Sequence, residues 1–182
     1  MPQKPVISNR KVIAQTRLFA VESLHLTFSN GEQRDYERLV GGPHGAVLVV
    51  PMLDSETIIM IREYSAGTDR YELALPKGRL EEGESIEQGA NREMAEEIGY
   101  AAKKITFLNR FTISPGYMSH SIEVVLAEDL YEKSATGDEP EPLEVVPVKI
   151  TDLHSIILQD DCTEARSIAA LFAAQEHLKQ RA

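Results

Sequence analysis

The sequence predicts an α+β fold, or α/β with mixed strands: a mixed β-sheet with a helix packed on it. Two observations carry that prediction. Short apolar runs rich in β-branched residues recur between residues 10 and 127, separated by Gly, Pro, Asn and Asp. One Glu-rich segment after Glu84 instead carries helix signals at both ends.

Residues 10–39 read as short strands. Phe19–Phe28 alternates apolar and polar at Val21, Leu24, Leu26 and Phe28, with a slip at Ser23, and Ser29-Asn30-Gly31 turns it into Arg34–Val40. Gly41-Gly42-Pro43-His44-Gly45 is a loop and the candidate boundary. It divides the chain into N-terminal strands over 1–42 and a main domain over 43–182. Ala46–Leu53 and Thr57–Arg62 are apolar, β-branched and joined by Asp54-Ser55-Glu56, which predicts a central hairpin. Lys104–Phe111 and Ile122–Ala127 are further strands around the Ser114-Pro115-Gly116 turn. Thr163–Lys179 predicts a last helix, with Ile168, Leu171, Phe172 and Leu178 as its core-facing stripe.

The Glu-rich helix is the informative element. Ser85 and Gln88 form a capping-box pair, and Gly99 accepts the left-handed conformation that ends a helix. Glu93, Glu96, Glu97 and Tyr100 fall at i, i+3, i+4 and i+7, so three carboxylates share one face. Like charges at this spacing cost a few tenths of a kcal/mol per pair. Arg92 can take one carboxylate, and the others call for another cation. Mg²⁺ suits them, since it binds a few carboxylates together with waters and substrate phosphates. A charge run on a helix is ordinarily a solvated face. The segment Leu75–Glu84, with Pro76, Gly78 and Gly83, changes that reading, because it is a shaped turn leading into the helix. Glycine at 78 permits close backbone approach to a pyrophosphate.

Composition narrows the function classes. The chain has 182 residues, 42% hydrophobic and 26% charged, with a net charge of −10. One domain with a small N-terminal subdomain fits that length. The acidic balance argues against nucleic acid and anionic membranes as partners, both of which need basic patches. No stretch approaches the roughly 18 apolar residues of a membrane span, and the first ten residues lack the apolar core of a signal peptide. A single cysteine, Cys162, excludes an internal disulfide and suits a reducing cytoplasm; it reads as a small buried hydrophobe. Thr136–Leu143 is an acidic loop in which Pro140 and Pro142 hold Asp138, Glu139 and Glu141 extended.

Gly78 is followed six residues later by Glu84, and eight further on by Arg92-Glu93-Met94-Ala95-Glu96-Glu97-Ile98-Gly99. This resembles the Nudix box, with its fixed glycine, glutamate and arginine positions all in register; such a match arises by chance in on the order of one chain per million. The final position, usually aliphatic, is Tyr100. Over roughly residues 15–178 the order of elements resembles the ADP-ribose pyrophosphatase branch of the Nudix hydrolases. Further markers are Ile61-Arg62-Glu63-Tyr64, Ser114-Pro115-Gly116-Tyr117 and Leu126–Tyr131.

The resemblance implies an α/β/α sandwich with a mixed sheet, an added N-terminal antiparallel sheet, and a homodimer formed through those N-terminal strands. It implies a nucleotide small molecule as substrate and Mg²⁺ or Mn²⁺ as cofactor. Glu93 and Glu97 become principal metal ligands, with Glu96 a third carboxylate and the Lys77 carbonyl and Glu141 further candidates. Glu139 is the candidate base, with Glu96 and Arg92 completing the catalytic set. Arg62, Glu63, Gly78 and Arg79 are assigned to substrate. The implied reaction is hydrolysis of the pyrophosphate bond of ADP-linked compounds, such as ADP-ribose, diadenosine polyphosphates and NADH, giving AMP and a phosphorylated product.

Two departures, Ser65 after Tyr64 where the branch often has arginine and Ala74 where it has glutamate, point away from strict ADP-ribose specificity. The alternatives are a GDP-sugar or nucleoside-triphosphate hydrolase on the same fold, and a non-catalytic nucleotide sensor. A sensor would have lost a box carboxylate, and none is lost here.

Overall fold

The computed structural model describes residues 3–42 and 44–181. Two compact units emerge, one formed by the chain up to Gly45 together with Thr112–Ser121, the other by Ala46–Phe111 and the chain from Ile122 onward.

In the first unit β1 (Val6–Gln15), β2 (Ala20–Thr27) and β3 (Gln33–Val40) form an antiparallel meander in that order. The β2–β3 turn follows its sequence: Gly31 takes φ +84°, and the Asn30 side chain accepts from the Glu32 amide at 3.1 Å. Glu22 and Arg38, opposite each other in register, form a cross-strand ion pair at 2.9 Å. Segment 112–121 is laced to the end of β3. Leu39 donates to Tyr117 O at 2.7 Å and accepts from Ser119 N at 3.0 Å, and Gly41 N donates to Ser119 Oγ at 2.9 Å. Every residue of β1 is exposed, so β1 is an edge strand with one side unpaired.

The second unit holds two sheets. One has the order β10-β5-β6, from β5 (Thr57–Ser65), β6 (Arg70–Ala74) and β10 (Glu144–Lys149), all antiparallel. The other has the order β7-β4-β9-β8, from β4 (Ala46–Pro51), β7 (Lys77–Arg79), β8 (Tyr100–Thr112) and β9 (Ser121–Glu132). It is mixed, since β4 runs antiparallel to β7 and parallel to β9. α1 (Ile86–Glu97) covers one face. A short 3₁₀ turn over Ile150–Asp152, α2 (Leu153–Ile156) and α3 (Ala165–Lys179) follow later in the chain.

β4 and the first five residues of β5 are buried on both faces, which is why they read as continuous apolar runs rather than alternating ones. Along β4, Leu48 and Val50 pack with Leu126, Leu171 and Ala174, while Val47 and Val49 pack with Ala90 and Met94 of α1. Ile58 and Met60 of β5 share the first cluster, and Ile59 and Ile61 the second. The result is the expected α/β/α layering of a mixed sheet, with the added N-terminal antiparallel sheet.

Two local expectations are corrected. Ala46–Leu53 and Thr57–Arg62 do not form a hairpin; beyond an isolated antiparallel bridge, Met52 to Ile58, and the Leu53 N to Thr57 O hydrogen bond at 2.8 Å, each pairs within a different sheet. The short connection misled because Asp54 caps its own turn, accepting from the Glu56 and Thr57 amides and the Thr57 hydroxyl, without strand pairing behind it. The last helix begins after Glu164, whose carboxylate accepts from the Arg166 and Ser167 amides. Its buried face is Ser167, Ala170, Leu171 and Ala174, so Phe172 stands outside the core and contacts the His154 ring instead. Cys162 lies buried in the core. No helix among the described residues is long and apolar enough to cross a membrane.

Candidate active site

α1 starts as its sequence dictates: the Ser85 hydroxyl accepts from Gln88 N at 3.2 Å, and Ser85 N in turn donates to the Gln88 side chain at 2.9 Å. Gly99, at φ +75°, follows its end. The helix therefore presents its glutamates at a fixed height over β7 and β4.

Gly78 stands opposite Val47 in the β4–β7 ladder, and a Cβ there would overlap the carboxyl group of Glu93. The glycine lets the strand pass directly under that carboxylate. Burial pushes the Glu93 carboxyl up, against the pull of Arg92, and the charges of Glu96 and Glu139 push the same way.

Arg92 uses all five of its N–H donors. Nε and one terminal nitrogen grip the Glu84 carboxylate at 3.0 and 2.9 Å. Glu93 is held at 2.8 Å, Glu96 at 3.1 Å and the Arg79 carbonyl at 2.8 Å. Arg92 thus pins the 79–84 loop onto the helix while holding two of the three helix carboxylates. Its guanidinium holds Glu84 below the usual carboxylate range.

Glu97 has no such partner. It is 8% exposed, and among the described residues it accepts only the Lys77 amide, at 3.2 Å, and has no basic side chain within ion-pair distance. Burial, reinforced by the charges of Glu93 and Glu63 and only partly relieved by Lys77, pushes its pKa up to about 9.

The acidic loop reaches the same place through Glu139. Gly137 lies against the Cβ of Glu96, and a Cβ on Gly137 would overlap the Glu139 carboxylate. Glu139 therefore folds back beside the helix carboxylates. Glu141 points elsewhere, accepting the Tyr71 hydroxyl at 2.6 Å.

Of the residues assigned to substrate, Gly78 lies beneath Glu93, and Glu63 accepts from Lys77 Nζ at 2.9 Å beside Glu97. The Arg79 backbone is engaged by Arg92. Arg62 is spent on Glu144 at 2.7 Å and Asp161 at 3.0 Å. Sequence reasoning gave no role to Glu84, although it was a fixed position of the box, nor to Gly137, although it opens the acidic run, nor to Tyr71, which carried no sequence signal.

The donor set fits a hard divalent cation. Glu97 is a buried carboxylate with no ion-pair partner among the described residues, and Glu93, four residues earlier on the same helix face, fills the space that Gly78 leaves open beneath it. Among the described residues no three acidic, His or Cys side chains enclose an ion by themselves.

Comparison with known proteins places these features in a lineage. The model of the NUDIX domain matches residues 42–172, and that of the NudE-type Nudix hydrolase N-terminal domain matches residues 5–38. The chain belongs to the NUDIX family. It is 45% identical over 177 residues to the ADP compounds hydrolase NudE of Escherichia coli (strain K12), covering 97% of this chain and 95% of that protein. It is 33% identical over 170 residues to an ADP-ribose pyrophosphatase of Bacillus subtilis (strain 168), covering 88% of this chain and 90% of that protein. A crystal structure of an ADP compounds hydrolase superposes with a TM-score of 0.92 at 44% identity, covering 100% of this chain and 97% of that one. The NUDIX domain and the ADP-ribose pyrophosphatases among its relatives make the chain a Nudix pyrophosphohydrolase.

Proposed function

We propose that this enzyme hydrolyses the pyrophosphate bond of ADP-linked compounds, ADP-ribose, diadenosine polyphosphates and NADH among them, to give AMP and a phosphorylated second product. The observation that carries the reading is the Glu93 carboxylate directly over Gly78 with the buried Glu97, which has no ion-pair partner among the described residues, one turn on along the helix. Similarity to an ADP compounds hydrolase over nearly the whole chain supports the substrate class.

Glu93 and Glu97 would hold Mg²⁺ or Mn²⁺, with Glu96 alongside and the Lys77 carbonyl on the strand beneath. Bound there, the cation would supply charge neutralisation for the pyrophosphate and activation of the attacking water. Glu139, beside Glu96, takes the proton as water oxygen bonds to phosphorus and the P–O bond of the anhydride breaks. Arg92 keeps Glu93 and Glu96 in place rather than meeting substrate, since its donors are already used. Gly78, Arg79 and Glu63 are kept as the substrate-side residues of this reading; Arg62, held by two carboxylates, contributes through the frame of the sheet.

The exposed edge of β1, with Val6, Ile7, Val12 and Ile13 on its surface, supports a homodimer built through the N-terminal strands. The lone buried cysteine and the acidic charge support a cytoplasmic setting without nucleic-acid or membrane partners.

A panel of ADP-ribose, NADH, diadenosine triphosphate and GDP-mannose, each assayed with Mg²⁺ and Mn²⁺, tests the reading. AMP from the first three is expected. Turnover of GDP-mannose alone would replace ADP-linked compounds with GDP-sugars.

A further inference from the structure

We propose that Ser167 of α3 is a positioning residue for the reaction: its hydroxyl holds the Leu75 amide and so sets Lys77 and Gly78 in place beneath Glu97 and Glu93. The inference rests on the pyrophosphohydrolase reading and extends the site to a helix on the opposite face of the sheet.

Leu75 and Pro76 form the crossover between the two sheets. The β6 ladder ends at Ala74, opposite Ile61, and the β7 ladder begins at Lys77, opposite Leu48. Leu75 thus stands beyond both ladders, and it is completely buried. A buried amide demands an acceptor. Ser167 Oγ supplies it at 2.9 Å, from a residue that is itself completely buried.

That hydroxyl is aimed. Glu164, which caps α3, accepts from Ser167 N and from the Ser167 hydroxyl, each at 2.8 Å, while Arg166 grips its other oxygen. With its one proton given to the carboxylate, the Ser167 oxygen keeps its lone pairs for Leu75 N. The residues that follow are tied to other elements. Pro76 O accepts from Val49 N of β4 at 2.9 Å, and Lys77 N donates to Glu97 Oε2 of α1 at 3.2 Å. Gly78 then passes under the Glu93 carboxylate with no room for a Cβ. Pro76, with its fixed φ, stands between the two amides, so a shift at Leu75 is passed on to Lys77 rather than absorbed.

β6 is held separately to the segment before α3, by Leu73 N to Asp161 O at 2.7 Å and by the Thr163 hydroxyl to Glu72 at 2.9 Å. Losing the Ser167 bond therefore loosens the crossover and not the strand. α3 packs through Leu171 and Ala174 on Leu48 and Val50, whereas α1 packs on Val47 and Val49. Ser167 acts through the backbone between them and does not touch substrate.

The test compares Ser167→Ala, Ser167→Cys and Leu171→Val in the full-length protein. Cysteine keeps the volume but offers sulfur, a weak acceptor. Leu171→Val trims the core of the same helix away from the crossover. Four quantities are read: amide exchange at Leu75 and Lys77 in EDTA, the Mg²⁺ dissociation constant by calorimetric titration, kcat on ADP-ribose in saturating Mg²⁺, and Tm. Both Ser167 variants are expected to speed exchange at the two amides by about tenfold or more. They should also weaken Mg²⁺ binding and lower kcat by about tenfold each, the lower end of the effect of removing a group that orients a ligand. Leu171→Val should lower Tm by a few degrees yet leave Mg²⁺ affinity and kcat within about twofold. Wild-type Mg²⁺ affinity or kcat in Ser167→Ala would overturn the proposal. So would equal losses in Leu171→Val, which would trace them to general stability, or wild-type behaviour of Ser167→Cys, which would trace them to volume. If the wild-type protein releases no AMP from any ADP-linked substrate, the functional reading fails by itself. Exchange at Lys77 and Mg²⁺ affinity then still decide the positioning role, and unchanged values in Ser167→Ala would overturn it.

Discussion

The Cβ position of Gly78 coincides with the carboxyl group of Glu93, so the strand beneath the helix and the carboxylate above it occupy one space that only glycine leaves open. The end of the Glu93 side chain is the part that can give way, at the cost of its 2.8 Å bond to Arg92. Gly78→Ala is therefore expected to displace the carboxylate rather than unfold the sheet. Activity should fall by about 10²-fold or more, the scale of a misplaced ligand, with a Tm change of only a few degrees by calorimetry.

Arg92 serves the helix and the loop together. Arg92→Lys keeps the charge but loses the planar fork that grips Glu84 while reaching Glu93 and Glu96. Both activity and stability should drop, with a stability loss of about 1–3 kcal/mol in urea titration, since Glu84 and Glu93 are left partly buried and underpaired.

The raised pKa of Glu97 has a definite sign for stability. Its folded-state value in the absence of metal, about 9, lies above the ordinary glutamate value of roughly 4.3 in the unfolded chain. The folded state thus prefers the protonated form, and the stability it confers is full below the unfolded value and is lost as pH rises towards 9. In EDTA, Tm should fall from pH 5 to pH 9 more steeply for the wild type than for Glu97→Gln. Metal binding must expel that proton, so the apparent Mg²⁺ dissociation constant should tighten by up to about tenfold per pH unit over the same window. Calorimetric titration in buffers of different ionisation heat checks the proton release.

Glu139 depends on Gly137 as Glu93 depends on Gly78. Glu139→Gln should cost about 10²- to 10⁴-fold in kcat, the range for removing a general base. Gly137→Ala should show a smaller loss in the same parameter, because the displaced carboxylate is still present. Steady-state kinetics with one substrate in saturating Mg²⁺ separates the two.

Much of the site is legible in the amino-acid sequence. The spacing of Glu93, Glu96 and Glu97, the Ser85–Gln88 cap and Gly99 are local features, and local features survive folding because short-range geometry alone sets them. What the sequence hides is non-local. The runs 46–53 and 57–62 read as a hairpin because they are adjacent, yet β4 finds β9 far along the chain and β5 finds β10. The last helix shows the same limit: Phe172 fits an apolar stripe by spacing, but small residues at 167, 170 and 174 let the helix pack close to the sheet and leave the ring outside. Tyr71 is invisible for the same reason, since its partner lies across two strands and a loop.

Release of AMP from ADP-ribose and NADH by the wild type and by Glu97→Gln, across a Mg²⁺ titration with an EDTA control, tests the central claim most directly. The account predicts metal-dependent AMP release by the wild type, none in EDTA, and almost none from a folded Glu97→Gln protein at any Mg²⁺ concentration. Normal turnover by Glu97→Gln in saturating Mg²⁺ would contradict it.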